Sequence, residues 1–249
     1  MGENWDFYIC NVNDVVASIY LNLALRETAP ERERANLLWV WVEMKWPAED
    51  GLSSKDEFDN LCEIEDQMTA AMKSRFEAVY CGRITTNGRR EFYYYAARAQ
   101  GLEQAAEETL EKFNGYEFEC GSKPDPGWKQ YLDVLYPSEE TRQCMENRKV
   151  LDVLEKNGDT LQRPRDISHW IYFRTDAERK EFLAAVVPLQ YRLQSESEME
   201  EKPYPKGICI VRFQSVKQNE IDDAVAELFR LAKTHGGEYD GWETQMNPD

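Results

Sequence analysis

The chain has 249 residues, of which 42% are hydrophobic and 12% aromatic, enough apolar material for one large or two ordinary folded domains. Acidic residues outnumber basic residues by 47 to 30, and the resulting net charge of -17 repels phosphate backbones and argues against direct nucleic-acid binding. No apolar run approaches the ~20 residues that cross a bilayer, and the six cysteines contain no CxxC pair. The composition therefore predicts a cytoplasmic protein with reduced thiols, no membrane segment and no secretory leader.

The first half of the chain is predicted to alternate strands and helices. Ser54 and Glu57 have the spacing of a capping box, which predicts a helix start. Asn87-Gly88 is a hairpin signal, because both residues tolerate positive φ. The predicted elements are strands at 5–12, 18–25 and 37–44, a helix after Ser54, strands at 75–84 and 90–97, a helix at 102–113 and a strand at 116–120.

The second half repeats this order after a helix-compatible stretch that follows Ser138. Thr175 and Glu178 form a second capping-box pattern. The acidic segment "SESEMEEKPYPK" (195–206) is predicted to be a solvated loop. The predicted elements are a strand at 169–173, a helix through Val187, strands at 189–194 and 207–214, a helix ending at Gly236-Gly237 and a strand at "EYDGW" (238–242).

Both halves therefore show the order strand, helix, strand, strand, helix, strand, with two extra strands in front of the first. We predict an α+β protein with two ferredoxin-like (βαββαβ) sandwich domains, residues 1–137 and 138–249. In this topology the first and last strands are antiparallel neighbours, so "HWIYF" should lie beside "EYDGW". His169 is then expected near Asp240 to Trp242.

The segment after the last helix is predicted to be a structural latch. We expect Gly236 and Gly237 to end the helix, Tyr239 to pair at the sheet edge and Gly241 to take the positive φ of a turn. The indole of Trp242 should cover the mouth of the core.

Catalytic signatures such as GxxxxGK[ST], GxGxxG, HExxH and GxSxG are absent from the sequence, which has two histidines. His235 is interpreted as a cation at a helix C-terminus, and His169 as a structural histidine rather than a ligand or proton carrier. We therefore predict no catalytic residue, no cofactor and no metal ion.

An alternative function from another class stays open. Glu238, Asp240 and Glu243 could join a histidine as metal ligands, although Asp240-Gly241 is also typical of a solvated turn. An enzyme or small-ligand-binding protein with a site in the cleft between the domains could use His169 with Asp240 or Glu243 as acid, base or ligand.

Two stretches carry a resemblance to known families. "LEKNGDTLQRPRDISHWIYFRTDAERKEF", "CIVRFQSV" and "LAKTHGGEYDGWE" resemble the RraB family over about residues 146–245. "WDFY" and "DPGWKQYLDVLYP" make residues 1–137 similar to an uncharacterised bacterial family, domain of unknown function 695. The first resemblance implies a non-catalytic bacterial regulator that inhibits ribonuclease E.

The RraB resemblance also implies a protein partner, the basic scaffold region of ribonuclease E, whose output changes without RNA being cut by the regulator. An acidic domain attracts such Arg-rich segments. The residues predicted to contact the partner are His169, Glu238, Tyr239, Asp240, Trp242 and Glu243.

Overall fold

The structure is a computed structural model that describes residues 2–12, 14–199 and 202–247. It divides into two compact units, Met1–Pro137 and Ser138–Asp249. Each unit contains one sheet in which every pair of neighbouring strands is antiparallel. The protein is thus a mixed α/β structure built on two antiparallel sheets.

The first unit contains a six-stranded sheet. Its elements are β1 (Trp5–Val12), β2 (Val15–Asn22), β3 (Asn36–Glu43), α1 (Lys55–Phe76), β4 (Val79–Thr86), β5 (Arg89–Ala96), α2 (Leu102–Leu110) and β6 (Phe118–Pro124). The strands lie in the order β1-β2-β4-β5-β3-β6. The two predicted extra strands, β1 and β2, pair with each other and extend the sheet beyond β4.

The main core of the first unit lies between this sheet and its two helices. Leu38, Val40 and Val42 alternate along β3 toward the helices, as expected for a strand with one face on the core. The apolar stripe of α1, which includes Leu61 and Met68, packs against them. Burial of these side chains holds the helices on one face of the sheet.

Part of the opposite face of the first sheet is covered by the segment that follows β6, which includes a short helix at Gln130–Leu135. Asp125 accepts hydrogen bonds from the backbone N–H groups of Lys129 and Gln130 and so fixes the turn. Trp128, with no exposed surface, stacks on Tyr95 at a ring-centroid distance of 4.1 Å, and its indole donates to the carbonyl of Arg34. The motif "DPGW" therefore works as a cover for part of the second face of the sheet.

The second unit contains a four-stranded sheet. Its elements are α3 (Glu139–Lys156), β7 (Arg165–Phe173), α4 (Asp176–Val186), β8 (Arg192–Glu198), β9 (Lys206–Gln214), α5 (Gln218–Thr234) and β10 (Glu238–Thr244). The strands lie in the order β10-β7-β9-β8, which corresponds to β6-β3-β5-β4 of the first unit. The helices α4 and α5 take the places in the chain that α1 and α2 have in the first unit.

The core of the second unit contains the alternating residues Ile167, Ile171 and Phe173 of β7. They pack with Ile208 of β9 and with the apolar face of α5, which includes Leu228. Because His169 alternates with the same residues, its side chain points into this core. The fold thus sets the direction of this histidine.

Several predicted signals are confirmed. Asn87 and Gly88 both have positive φ, 49° and 77°, in the hairpin that joins β4 to β5. Thr175 and Glu178 form the predicted capping box of α4. Ser138 accepts a hydrogen bond from the N–H of Thr141 at the start of α3.

Other predictions are wrong in detail. Ser54 makes no side-chain cap; the Glu57 carboxylate instead accepts the backbone N–H groups of Lys45 and Trp46. The strand predicted at 18–25 ends at Asn22, whose side chain accepts from Ala24 N and begins a 3₁₀ turn. Here local side-chain bonds to the backbone override the pattern.

The predicted loop at 195–206 is partly a strand. Ser195 to Glu198 belong to β8 and pair with β9, whereas residues 200 and 201 lie outside the described residues. Glu196 forms an ion pair with Arg179, and Glu198 with Lys206. Pairing with β9 thus makes an acidic sequence an edge strand, and the ion pairs offset part of its charge.

Within the described ranges, no helix combines the length and the apolar character needed to cross a membrane.

Replacing Trp128 with alanine should lower the free energy of unfolding by about 3–5 kcal/mol, because it leaves a large cavity against Tyr95. Urea unfolding followed by circular dichroism measures the loss. Trp46→Ala is the matched control, since the Trp46 side chain is 59% exposed, and its cost should stay within about 1 kcal/mol. Equal losses in both variants would contradict the covering role of Trp128.

Candidate partner-binding edge

The first and last strands of the second unit are antiparallel neighbours, as predicted. Trp242 of β10 lies opposite His169 of β7, and Tyr239 lies opposite Ile171. β10 is an edge strand of the sheet. The predicted proximity of His169 to the "EYDGW" segment is confirmed.

A β-bulge in β10 decides which way its side chains point. The register runs from Tyr239 opposite Ile171 directly to Gly241 opposite Trp170, so Asp240 is the extra residue. Tyr239 and Trp242 would face opposite sides of a regular strand, and the bulge puts both on the core side. Gly241 has the predicted positive φ, 138°, but it takes it in this bulge and not in a turn.

His169 is completely buried and is hydrogen-bonded to Tyr239, with 2.9 Å between Nδ1 and the hydroxyl oxygen. Its Nε2 is also buried and has no hydrogen-bond partner within the part of the chain that the structure describes. Burial, followed by the nearby charge of Arg212, lowers the pKa of His169 to about 3. The ring is therefore neutral at physiological pH and contributes to the core.

Trp242 is half-buried and belongs to a polar chain that joins β10 to the helices. Its indole Nε1 donates to Asn147 Oδ1 on α3 at 2.7 Å, and Asn147 Nδ2 donates to Asp222 Oδ1 on α5 at 2.8 Å. Asn147 is 2% exposed, so these bonds satisfy groups that would be costly to bury alone. The predicted latch thus includes a hydrogen-bonded anchor as well as apolar cover.

The far end of β10 has a second anchor. The guanidinium of Arg165, at the start of β7, forms a two-pronged ion pair with Asp159 and donates to the carbonyl of Gln245 at 3.0 Å. These bonds from Arg165 lower the pKa of Asp159 well below its usual range. The C-terminal part of the strand is therefore anchored at Trp242 and again just beyond its last residue.

Three carboxylates of β10 point away from the core. Glu238, Asp240 and Glu243 are exposed. Glu238 lies opposite Tyr172 and Glu243 opposite Ser168, so both project on the sheet face that carries no helix. The six predicted residues thus separate into a buried or half-buried group and this acidic edge, which consists of Glu238, Asp240 and Glu243.

Aromatic side chains lie next to the acidic edge. Trp170 and Tyr172 alternate with His169 along β7 and are partly exposed on the helix-free face. Burial, and after it the charge of Asp240, raises the pKa of Tyr172. A partner that approaches this face meets rings and carboxylates together.

A groove of about 560 Å³ adjoins the start of β10, between α3 and α5. Its lining mixes the charges of Glu139, Arg142, Lys233 and Glu238, and Lys233 already pairs with Glu139. A groove with both signs of charge does not select an anion or a cation.

The positions of His169, His235 and the carboxylates can be compared with those that an enzyme or a metal site would need. His169 has no exposed surface and points away from Glu243, so these two groups do not form an accessible acid–base pair. His235 ends α5 and lies 3.8 Å from Glu181, in keeping with a helix-terminal role. Among the described residues, no group of three His, Cys, Asp or Glu side chains is arranged to hold a metal ion.

A family model described as "family of unknown function (DUF695)" matches residues 3–136, more than half of the 249 residues. The chain belongs to the DUF695 family. A second family, "regulator of ribonuclease activity B" (RraB), matches residues 145–244. Both predicted resemblances are confirmed.

Other comparisons add little to the DUF695 and RraB matches. No curated protein matches the chain. A similar solved structure is the crystal structure of an unknown protein from Galdieria sulphuraria, with 8% identity, 83% coverage of this chain, 96% coverage of that chain and a TM-score of 0.23. A likeness at this level carries no argument about function.

The RraB match of this DUF695 protein contains all six predicted residues and also Asn147, Arg165 and Asp222, which sequence reasoning missed. One signal for Asn147 was available. It stands at helical spacing from Leu151 and Leu154 and is therefore a polar residue on an apolar stripe. A buried polar residue at such a position needs a partner, here the Trp242 indole.

A double-mutant cycle tests the anchor in this DUF695 protein. Trp242→Phe and Asn147→Ala should show an interaction free energy of about 1 kcal/mol, because each variant alone breaks the same hydrogen bond. Chemical unfolding of the four proteins gives the value. The matched cycle pairs Trp242→Phe with Asp152→Ala, an exposed position on α3, and should be additive. Additivity in the first cycle would contradict the anchor.

The buried histidine predicts a pH effect of known sign. The unfolded chain takes up a proton at His169 near pH 6.5, whereas the folded protein does so only near pH 3. Stability from this residue is thus fully present above pH 6.5 and is lost as the pH falls toward 3. From about pH 7.5 to 5.5 the loss should be about 1.4 kcal/mol.

The measurement compares urea unfolding of wild type and His169→Gln at both pH values. The variant should lack this component of the pH dependence, whereas His235→Gln should keep it. The same pH dependence in wild type and His169→Gln would contradict a buried neutral His169.

Proposed function

We propose that the protein is a non-catalytic, cytoplasmic bacterial regulator that modulates ribonuclease E by binding it. The observation that carries this proposal is the RraB match over residues 145–244, which contains the acidic edge. We also infer that both units are ferredoxin-like domains that fold independently. The corresponding strand orders β6-β3-β5-β4 and β10-β7-β9-β8 and the division at Pro137 support this inference.

We infer that the partner surface is the acidic edge together with its aromatic neighbours. Glu238, Asp240 and Glu243 are exposed, whereas His169 and Tyr239 are buried on the core side of the sheet. Carboxylates beside Trp170 and Tyr172 suit arginine, whose guanidinium stacks on rings and pairs with carboxylates. The basic scaffold of ribonuclease E is a partner of this chemistry.

The net charge supports a mechanism in which the regulator approaches the enzyme and not its RNA. With 47 acidic and 30 basic residues, the chain attracts basic segments and repels phosphates at long range. An acidic surface that occupies the scaffold would compete with RNA for the same arginines. Cleavage would change without any catalytic group on the regulator.

The double variant Asp240→Asn/Glu243→Gln should bind purified ribonuclease E about tenfold more weakly, because it removes two charges from the contact. Its unfolding free energy should stay within about 0.5 kcal/mol of wild type, since both residues are exposed. Calorimetry with full-length enzyme measures binding, and cleavage of a fluorogenic RNA measures the regulation.

The matched control is Asp152→Asn/Glu155→Gln, which makes the same charge change at exposed positions of α3. It should bind like wild type. Wild-type affinity should also fall as salt rises, because screening shortens the reach of the charges. Equal binding by the edge variant and its control, or direct micromolar binding of RNA by the regulator, would overturn the proposal.

A further inference from the structure

The first unit contains a groove of about 670 Å³ beside the strand extension that β1 and β2 add to the sheet. This volume lies in the range of roughly 300–1,000 Å³ that is usual for small-ligand sites. The groove runs between this extension and α1. Its lining includes Trp5, Tyr20, Glu65, Asp66, Lys73 and Tyr80.

The sheet side of the groove is aromatic. The Trp5 ring lies 5.1 Å from the Tyr20 centroid and 5.2 Å from the Tyr80 centroid. The indole N–H of Trp5 donates to Glu3, which also lines the groove, at 2.8 Å. All three rings are only partly buried. Such ring faces attract cations through their quadrupoles.

A guanidinium group of the protein itself, from outside the groove lining, already contacts two of the lining residues. Arg83 lies 4.5 Å from the Tyr20 ring centroid and forms an ion pair with Glu65. Glu65 also accepts a hydrogen bond from the Tyr80 hydroxyl at 2.8 Å. A ring face and a carboxylate on α1 together are thus a combination that binds arginine in this fold.

The next residue along α1, Asp66, provides a second carboxylate but has none of the described arginines paired with it. Asp66 lines the groove, is exposed, and forms no hydrogen bond or ion pair with any residue that the structure describes. Lys73 is the one lysine or arginine among the described lining residues. Of the lining carboxylates, Glu65 is already paired with Arg83 and Arg90, whereas Glu3 and Asp66 form no ion pair within the described part of the chain. The groove therefore offers the free carboxylate of Asp66 beside partly exposed aromatic rings, which suit a cation and disfavour an anion.

We infer that this groove is a binding site for a guanidinium group, which would stack on the Trp5 side of the aromatic wall and pair with Asp66. The group can be carried by a small molecule or by an arginine side chain of a polypeptide. Planar guanidinium fits better than ammonium, because it stacks and donates two parallel hydrogen bonds to one carboxylate. The inference concerns the first unit and does not depend on the proposed ribonuclease regulation.

The test uses the full chain and two probes, acetyl-arginine-amide and a Gly/Ser peptide with one arginine, each with its uncharged citrulline analogue. Calorimetry measures affinity, and the NMR signal of the Trp5 indole N–H reports the location. The arginine probes should bind and shift this signal, whereas the citrulline analogues should not. Tighter binding of the peptide than of the amide identifies a polypeptide source, and equal binding a free small molecule.

Asp66→Asn should weaken binding of the arginine probes about tenfold, as expected for the loss of one charge-assisted pair. Asp59→Asn is the matched control, because Asp59 is exposed on the same helix and does not line the groove. Trp5→Leu, checked for folding by its thermal transition, should also weaken binding. No binding at about 10 mM probe, equal binding of citrulline, or equal effects of Asp66→Asn and Asp59→Asn would overturn the inference.

Discussion

The antiparallel pairing of β7 with β10, interrupted by the bulge at Asp240, is the constraint on which the second unit depends. The pairing joins the first and last strands of the sheet, and the bulge returns Trp242 to the same side as Tyr239. In a regular strand, the Trp242 indole would leave Asn147 and face the other side of the sheet. One extra residue thus connects the sheet to α3 and sets the direction of every later side chain of β10.

The same constraint separates buried from exposed side chains along a seven-residue strand. Charged groups cannot enter the core cheaply, so the inward positions hold a tyrosine and a tryptophan, and the histidine opposite stays neutral. The carboxylates of Asp240 and Glu243 then project outward, where water solvates them. Because their charges contribute little to the packing, these residues can be replaced without unfolding the second unit.

Sequence reasoning predicted the features that depend on short-range patterns. The Asn87-Gly88 hairpin and the Thr175–Glu178 capping box are signals carried within a few residues. The neighbouring positions of β7 and β10 followed from the order of elements. The pairing of Trp242 with Asn147, which lie 95 positions apart, has no such signal.

The acidic strand β8 was also beyond sequence reasoning. Its charges suggested a solvated loop, and the ion pair of Glu196 with Arg179 that supports the strand is visible only in the fold. The bulge at Asp240 was missed for a related reason. A glycine after an aspartate is typical of turns, and only the register against β7 shows that this pair continues a strand.

The two units use corresponding strand orders but differ in what covers the sheet, and this difference places their candidate sites. In the first unit, the segment after β6 packs Trp128 onto Tyr95 on the face opposite the helices. Partly exposed aromatic residues of the β1–β2 extension, Trp5 and Tyr20, line the groove beside α1. In the second unit, Trp170 and Tyr172 stay partly exposed on the helix-free face, next to the acidic edge. The first unit has the β1–β2 extension as an added element, and the second unit, over its described residues, lacks a covering segment of this kind. At these places, partly exposed aromatic rings lie near carboxylates, a combination that favours cationic ligands.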